Sequence, residues 1–133
     1  MGPRDSGVKD TAQVRAALLA VRDWIAADEG EVPRPSRAAV AAACRTSLAL
    51  LEADAPGHSV EVRVPPFAAV QCIAGPVHRR GTPPNVVQCG PHAWLRLATG
   101  FDSLEDAVAA GAEVSGAHAA DVAHWLPVVD LTR

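Results

Sequence analysis

The stretch SVEVRVPPFAAVQCIAGPVHRRGTPPN, residues Ser59 to Asn85, decides the fold. Val60, Val62 and Val64 alternate with Glu61 and Arg63, the pattern of a strand with one buried face. Pro65-Pro66 removes two backbone donors, so the chain must turn, bulge or sit at an edge there. Phe67 to Ile73 resumes as strand, apolar on both faces except at Gln71, which predicts a central strand covered on both sides. Gly75-Pro76 closes the run, and an irregular polar loop follows to Asn85. Two extended runs joined by a short turn, with helical sequence before and after them, predict an α+β domain.

Outward from this stretch, the N-terminal side reads as helix. Met1 to Lys9 has no apolar periodicity and is expected to fray. Asp10 with Gln13 three residues on suggests a capping box, and Val14, Leu18, Val21 and Ile25 follow at helical spacing, flanked by Leu19 and Trp24. Gly30, Pro33 and Pro35 stop that helix. Ser36 caps a second one, with Val40, Cys44, Ser47, Leu48 and Leu51 along its inner face. These two helices, over residues 10–54, are expected to pair antiparallel on one face of the sheet.

On the C-terminal side, Val86 to Cys89 reads as a third strand. Gly90-Pro91 opens a helix, with proline at the first helical position. Trp94, Leu95 and Leu97 supply its apolar side, and Thr99-Gly100 ends it. Ser103 caps the next helix with Asp106 at its third position; Leu104, Ala107 and Val108 are expected to face inward, and Gly111 stops it. Val114-Ser115 forms a last short strand, and Ala117 to Leu126 a terminal helix bearing Val122, Trp125 and Leu126 and ended by Pro127. No repeat and no domain boundary appears, so residues 1–133 read as one domain, with the sheet and C-terminal helices over 59–129.

Composition excludes several classes. The 133 residues carry 12 Lys and Arg against 15 Asp and Glu, a net charge of −3. That lacks the basic footprint of a nucleic-acid binder. No apolar run approaches the roughly 20 residues that span a bilayer, and the first ten residues lack a signal-peptide core. Three scattered cysteines argue against a disulfide framework and fit a reducing cytoplasm.

The order strand, strand, strand, then WLRLATG, DSLEDAVAAG and VSGAHAADVAHWL resembles the C-terminal half of the sterol-carrier-protein-2-like fold. The glycines that punctuate that fold would here be Gly100, Gly111 and Gly116. More closely, VEVRVPPFAAVQC with HRRGTPPNVVQ resembles the actinobacterial "sterol carrier family" proteins, the bacterial sterol-carrier orthologues, over Pro35 to Leu126. The resemblance implies a small, mostly antiparallel sheet of four or five strands with about five helices against it. It further implies an apolar cavity and non-enzymatic binding or carriage of a lipid-like or acyl-chain-like molecule, without cofactor. Where the family commonly shows an acidic residue after two valines, this chain has Gln88. Similar domains accompany mycothiol-dependent isomerases, which gives one alternative, an accessory role in thiol chemistry. A filled interaction or dimerisation module is the other.

Phe67, Val70, Trp94, Leu97, Leu104, Val108, Val122 and Trp125 are the expected cavity lining, since ligand pockets are mostly apolar with a few polar anchors. Plain core is the competing reading for most of them. His78, Arg79, Arg80, Thr82 and Asn85 are the expected polar anchor at the pocket mouth, because guanidinium presents a planar fork of donors. Turn satisfaction and surface pairing are the alternative for that loop. His58, His78, His92, His118 and His124 show no metal-binding spacing. Cys89 with His92 is the only local thiol–imidazole pair, and no accompanying signature supports it. Glu105-Asp106 and Asp28-Glu29 are adjacent on helical sequence and do not face one another. No catalytic, metal or cofactor residue is therefore expected.

Overall fold

The computed structural model describes residues 3–75 and 84–133, with side chains from residue 11 onward. The first helix, α1, spans Pro3–Leu19 and begins well before Asp10, which therefore does not cap it. The expected single helix to Ile25 is interrupted at Ala20-Val21, and a short α2 covers Arg22–Ala26. Val14, Leu18, Val21, Trp24 and Ile25 are all buried, so the apolar stripe continues across the break. Ser36 caps α3, Arg37–Asp54, its hydroxyl accepting from Ala39 N at 3.1 Å.

Strands β1 (Val60–Val64), β2 (Ala68–Cys72), β3 (Asn85–Gln88) and β4 (Glu113–Ser115) form one four-stranded sheet in the order β2-β1-β3-β4. β1 pairs antiparallel with β2 and parallel with β3, and β3 pairs antiparallel with β4. The alternation in β1 is realised: Val60, Val62 and Val64 are fully buried, while Glu61 and Arg63 face the other side and form an ion pair.

The expectation for β2 is corrected. It is an edge strand, not a central one, and Ala69 is exposed. Its run read as two-sided apolar because alanines count as apolar while burying little area. Helix α3 packs over β2, and α1 packs on α3.

Helix α4 spans Pro91–Thr99 with proline in its first turn, and Gly100 ends it in the left-handed region at φ 93°. Helix α5 spans Leu104–Ala109 behind a full capping box: Ser103 Oγ accepts from Asp106 N, and Asp106 accepts from Ser103 N, both at 3.1 Å. The terminal helix is a 3-10 helix, η1, Ala119–Trp125, shorter than the sequence implied. Beyond it the tail straps over α4. Val128 N and Val129 N donate to Ala98 O and Leu131 N to Thr99 O, filling carbonyls that a helix end leaves open.

The turn before η1 requires a glycine. Gly116 has φ 100°, and a Cβ there would meet Asn85 Oδ1 and Pro84 O, both 2.4 Å away. No side chain fits that approach.

Candidate functional site

The eight expected lining residues do not come together. Phe67, Trp94, Leu97 and Val122 are buried, and Val70 and Leu104 are half-buried. Val108 and Trp125, expected inward, are 47% and 40% exposed. Trp94 is core: its Nε1–H donates to Ser47 Oγ at 2.9 Å, and Ser47 donates in turn to Ala43 O at 2.6 Å. This satisfies a buried indole within the helix layer.

Of the expected polar anchor, His78, Arg79, Arg80 and Thr82 lie outside the described residues. Asn85 is buried, and its amide is spent internally. Nδ2 donates to Ser59 O at 2.9 Å, and Oδ1 accepts from His118 N at 2.8 Å. It ties the start of β3 to the loop before β1 and to the entry of η1.

What the fold does assemble is an open cleft of about 320 Å³ where α4, α5 and η1 converge. Leu97, Leu104, Ala123, Leu126 and Pro127 wall it, and Asp102, Ser103 and Glu105 stand at its rim. Two of the expected residues, Leu97 and Leu104, are thus in one wall. Val108 lies one turn beyond Leu104 on α5 and extends the same apolar stripe outward. Leu126, rather than Trp125, supplies the wall from the C-terminal segment. The sequence pattern put Leu126 among the apolar residues of the terminal helix and Pro127 as its stop, and neither in the expected lining. Local pattern carried no sign that the tail would fold back on α4.

The turn between α4 and α5 is fixed by one arginine. Arg96 Nε donates to Asp102 Oδ2 at 2.8 Å, and its Nη1 donates to Ile25 O at 2.7 Å. The Arg22 and Arg96 guanidiniums both lie over the Phe101 ring, 5.9 and 5.5 Å from its centroid. Arg96 therefore anchors the rim to the end of α2, and Asp102 is neutralised. Glu105 has no ion-pair partner among the described residues. The Asp106 carboxyl is held below its ordinary range by the Ser103 backbone and side-chain bonds of the cap.

The thiols are unsuited to chemistry. Burial pushes Cys44 up to about 12 and Cys72 and Cys89 to about 11. His92, near Cys89 in sequence, contacts Trp24 O and Ala27 O through Nε2 at 3.0 Å each. With two acceptors as partners, Nε2 carries the proton and serves as a structural donor. Among the described residues, no group of three or more His, Cys, Asp or Glu is placed to hold a metal. No helix among them is long and apolar enough to cross a membrane.

A mostly antiparallel four-stranded sheet with helices packed against it, closed by a glycine-punctuated C-terminal segment, defines a sterol-carrier-like α+β domain. A family model described as "Bacterial SCP ortholog" matches residues 36–128, and the chain belongs to that bacterial sterol-carrier-protein-like family. The match starts at the Ser36 cap, so α1 and α2 precede it. No curated protein matches the chain.

Proposed function

We propose that this protein binds and carries an apolar or amphipathic small molecule, such as an acyl chain, without transforming it. The family is one of sterol-carrier-like domains, which supports a carrier-type role. The observation that carries the reading is the cleft walled by Leu97, Leu104, Ala123, Leu126 and Pro127. Its volume of about 320 Å³ is at the lower end of small-molecule sites. Each methylene taken from water there contributes about 0.8 kcal/mol, so a chain laid along the wall reaches useful affinity without catalytic groups. Glu105 at the rim suits a head group that donates hydrogen bonds, a hydroxyl or an ammonium.

The test is titration with a fluorescent acyl probe. Saturable binding is expected, with Leu104→Glu and Leu126→Glu each weakening it about tenfold or more, since each replaces roughly 1.5–3 kcal/mol of apolar contact with a charge. Both positions are only half-buried, so circular dichroism should show the fold intact. Absence of probe binding, or affinity unchanged in both variants, contradicts the reading.

A further inference from the structure

Strand β2 ends the sheet without the usual guards. Its sequence, Ala68–Cys72, contains no charge, no proline and no lysine, although exposed edges normally carry such features against strand addition. The Arg63 carbonyl accepts from Cys89 N at 3.1 Å, so Glu61 and Arg63 turn their backbone groups to β3 while Val60, Val62 and Val64 turn theirs to β2. The bonded pairs with β2 are therefore Val60–Cys72, Val62–Val70 and Val64–Ala68, and the N–H and C=O groups of Ala69 and Gln71 point away from β1. Among the described residues β2 pairs with β1 alone. Cys72 is fully buried, so the open edge is centred on exposed Ala69.

Charge along this edge is bipolar. Helix α3 runs over β2, and Arg45 Nε donates to Phe67 O at 3.3 Å, at the start of the strand. Arg37 lies over the Phe67 ring at 5.2 Å. At the other end Glu52 acts on the Cys72 thiol, so it stands beside the end of the strand. Arg37, Arg45 and Glu52 are exposed and have no ion-pair partner among the described residues. This order also opposes the helix dipole, with arginine in the first turn of α3 and Glu52 and Asp54 in its last. Arg45 and Glu52, with Ala38, Ala42 and Ala49, form one exposed side of α3. Small residues there permit close approach.

A surface positive at one end and negative at the other, around a free strand edge, complements its own copy turned by a two-fold axis. We infer that the protein forms a two-fold dimer through β2, with a second copy of this chain as the occupant of the edge. The axis passes through Ala69, so Ala69 of each protomer exchanges both backbone bonds with the partner's Ala69. The antiparallel arrangement sets Arg45 of each protomer against the partner's Glu52, and the two sheets become one. The inference is independent of the carrier reading, since the edge lies on β2 and the cleft between α4, α5 and η1.

The experiment is sedimentation equilibrium on the full chain, with Arg45→Glu, Glu52→Arg and Ala69→Pro. Wild type is expected to be dimeric at micromolar concentration. Each charge variant opposes like charges at both symmetric contacts, which should raise the dissociation constant about a hundredfold or more. Ala69→Pro removes an outward N–H and should give a monomer with an unchanged circular dichroism spectrum. The decisive arm mixes Arg45→Glu with Glu52→Arg in equal amounts. Every facing pair is then opposite in sign, so the mixture should form heterodimers where each variant alone stays monomeric. A monomeric wild type at high concentration overturns the inference. So does a dimer that survives either charge variant, or a mixture that remains monomeric.

Discussion

Replacing Asn85 with alanine tests whether that residue is a structural tie or a ligand anchor. The side chain makes two good bonds, Nδ2–H to Ser59 O at 2.9 Å and Oδ1 from His118 N at 2.8 Å, and a longer one to Ser59 Oγ at 3.4 Å. Asn85→Ala leaves the Ser59 carbonyl and the His118 N–H without those partners. An orphaned buried group costs about 1–3 kcal/mol. Ser59 is buried and bears the full cost, whereas the His118 amide is only partly buried and regains some hydration. The expected loss is about 3 kcal/mol, a large part of the roughly 5–15 kcal/mol of a typical domain. For a chain of this size it lowers Tm by about 10 °C. Thermal and urea melts followed by circular dichroism measure it, with acyl-probe titration run below the transition. Stability should fall while probe affinity per folded molecule stays the same. A Tm within about 2 °C of wild type, a shift worth well under 1 kcal/mol, refutes the tie. Lost affinity at unchanged stability would restore the anchor role.

Trp94→Phe removes the indole donor to Ser47 and opens space in the helix layer, and should cost about 2 kcal/mol in urea denaturation with acyl-probe affinity unchanged. The three buried thiols should resist a thiol-specific reagent at pH 8 in the native protein and react fully in denaturant, because burial keeps them protonated. Asp106 has a folded pKa below its ordinary 3.8, so its contribution is fully present above that value and lost as pH falls through the lower folded pKa. Asp106→Asn should therefore melt below wild type at neutral pH, with the gap closing in strong acid.

Much of the architecture was legible because its signals are local. The Val60, Val62, Val64 alternation, the Ser36 cap and the Ser103–Asp106 box each depend on neighbours a few residues away, and each is realised. Gly100, Gly111 and Gly116, marked by resemblance, all take left-handed backbone. What failed needed tertiary information. The composition of β2 says that its faces are apolar, but not which strands pair with it. Helical periodicity put Val108 and Trp125 inside, yet α5 is short and η1 ends at Trp125, so both side chains reach solvent. The cleft was half legible: Leu97 and Leu104 are in its wall, whereas Leu126 and Pro127 join only because the tail turns back to bond Ala98 and Thr99.

The carrier role stands or falls on where a bound chain sits. Nuclear Overhauser contacts from a carbon-13-labelled acyl chain to assigned methyl groups measure that directly. Contacts to Leu104, Leu126 and Ala123 are predicted, with none to the methyl groups of the fully buried Val60 and Val62. Contacts confined to other methyls, or a chain that shows none at saturating concentration, would contradict it.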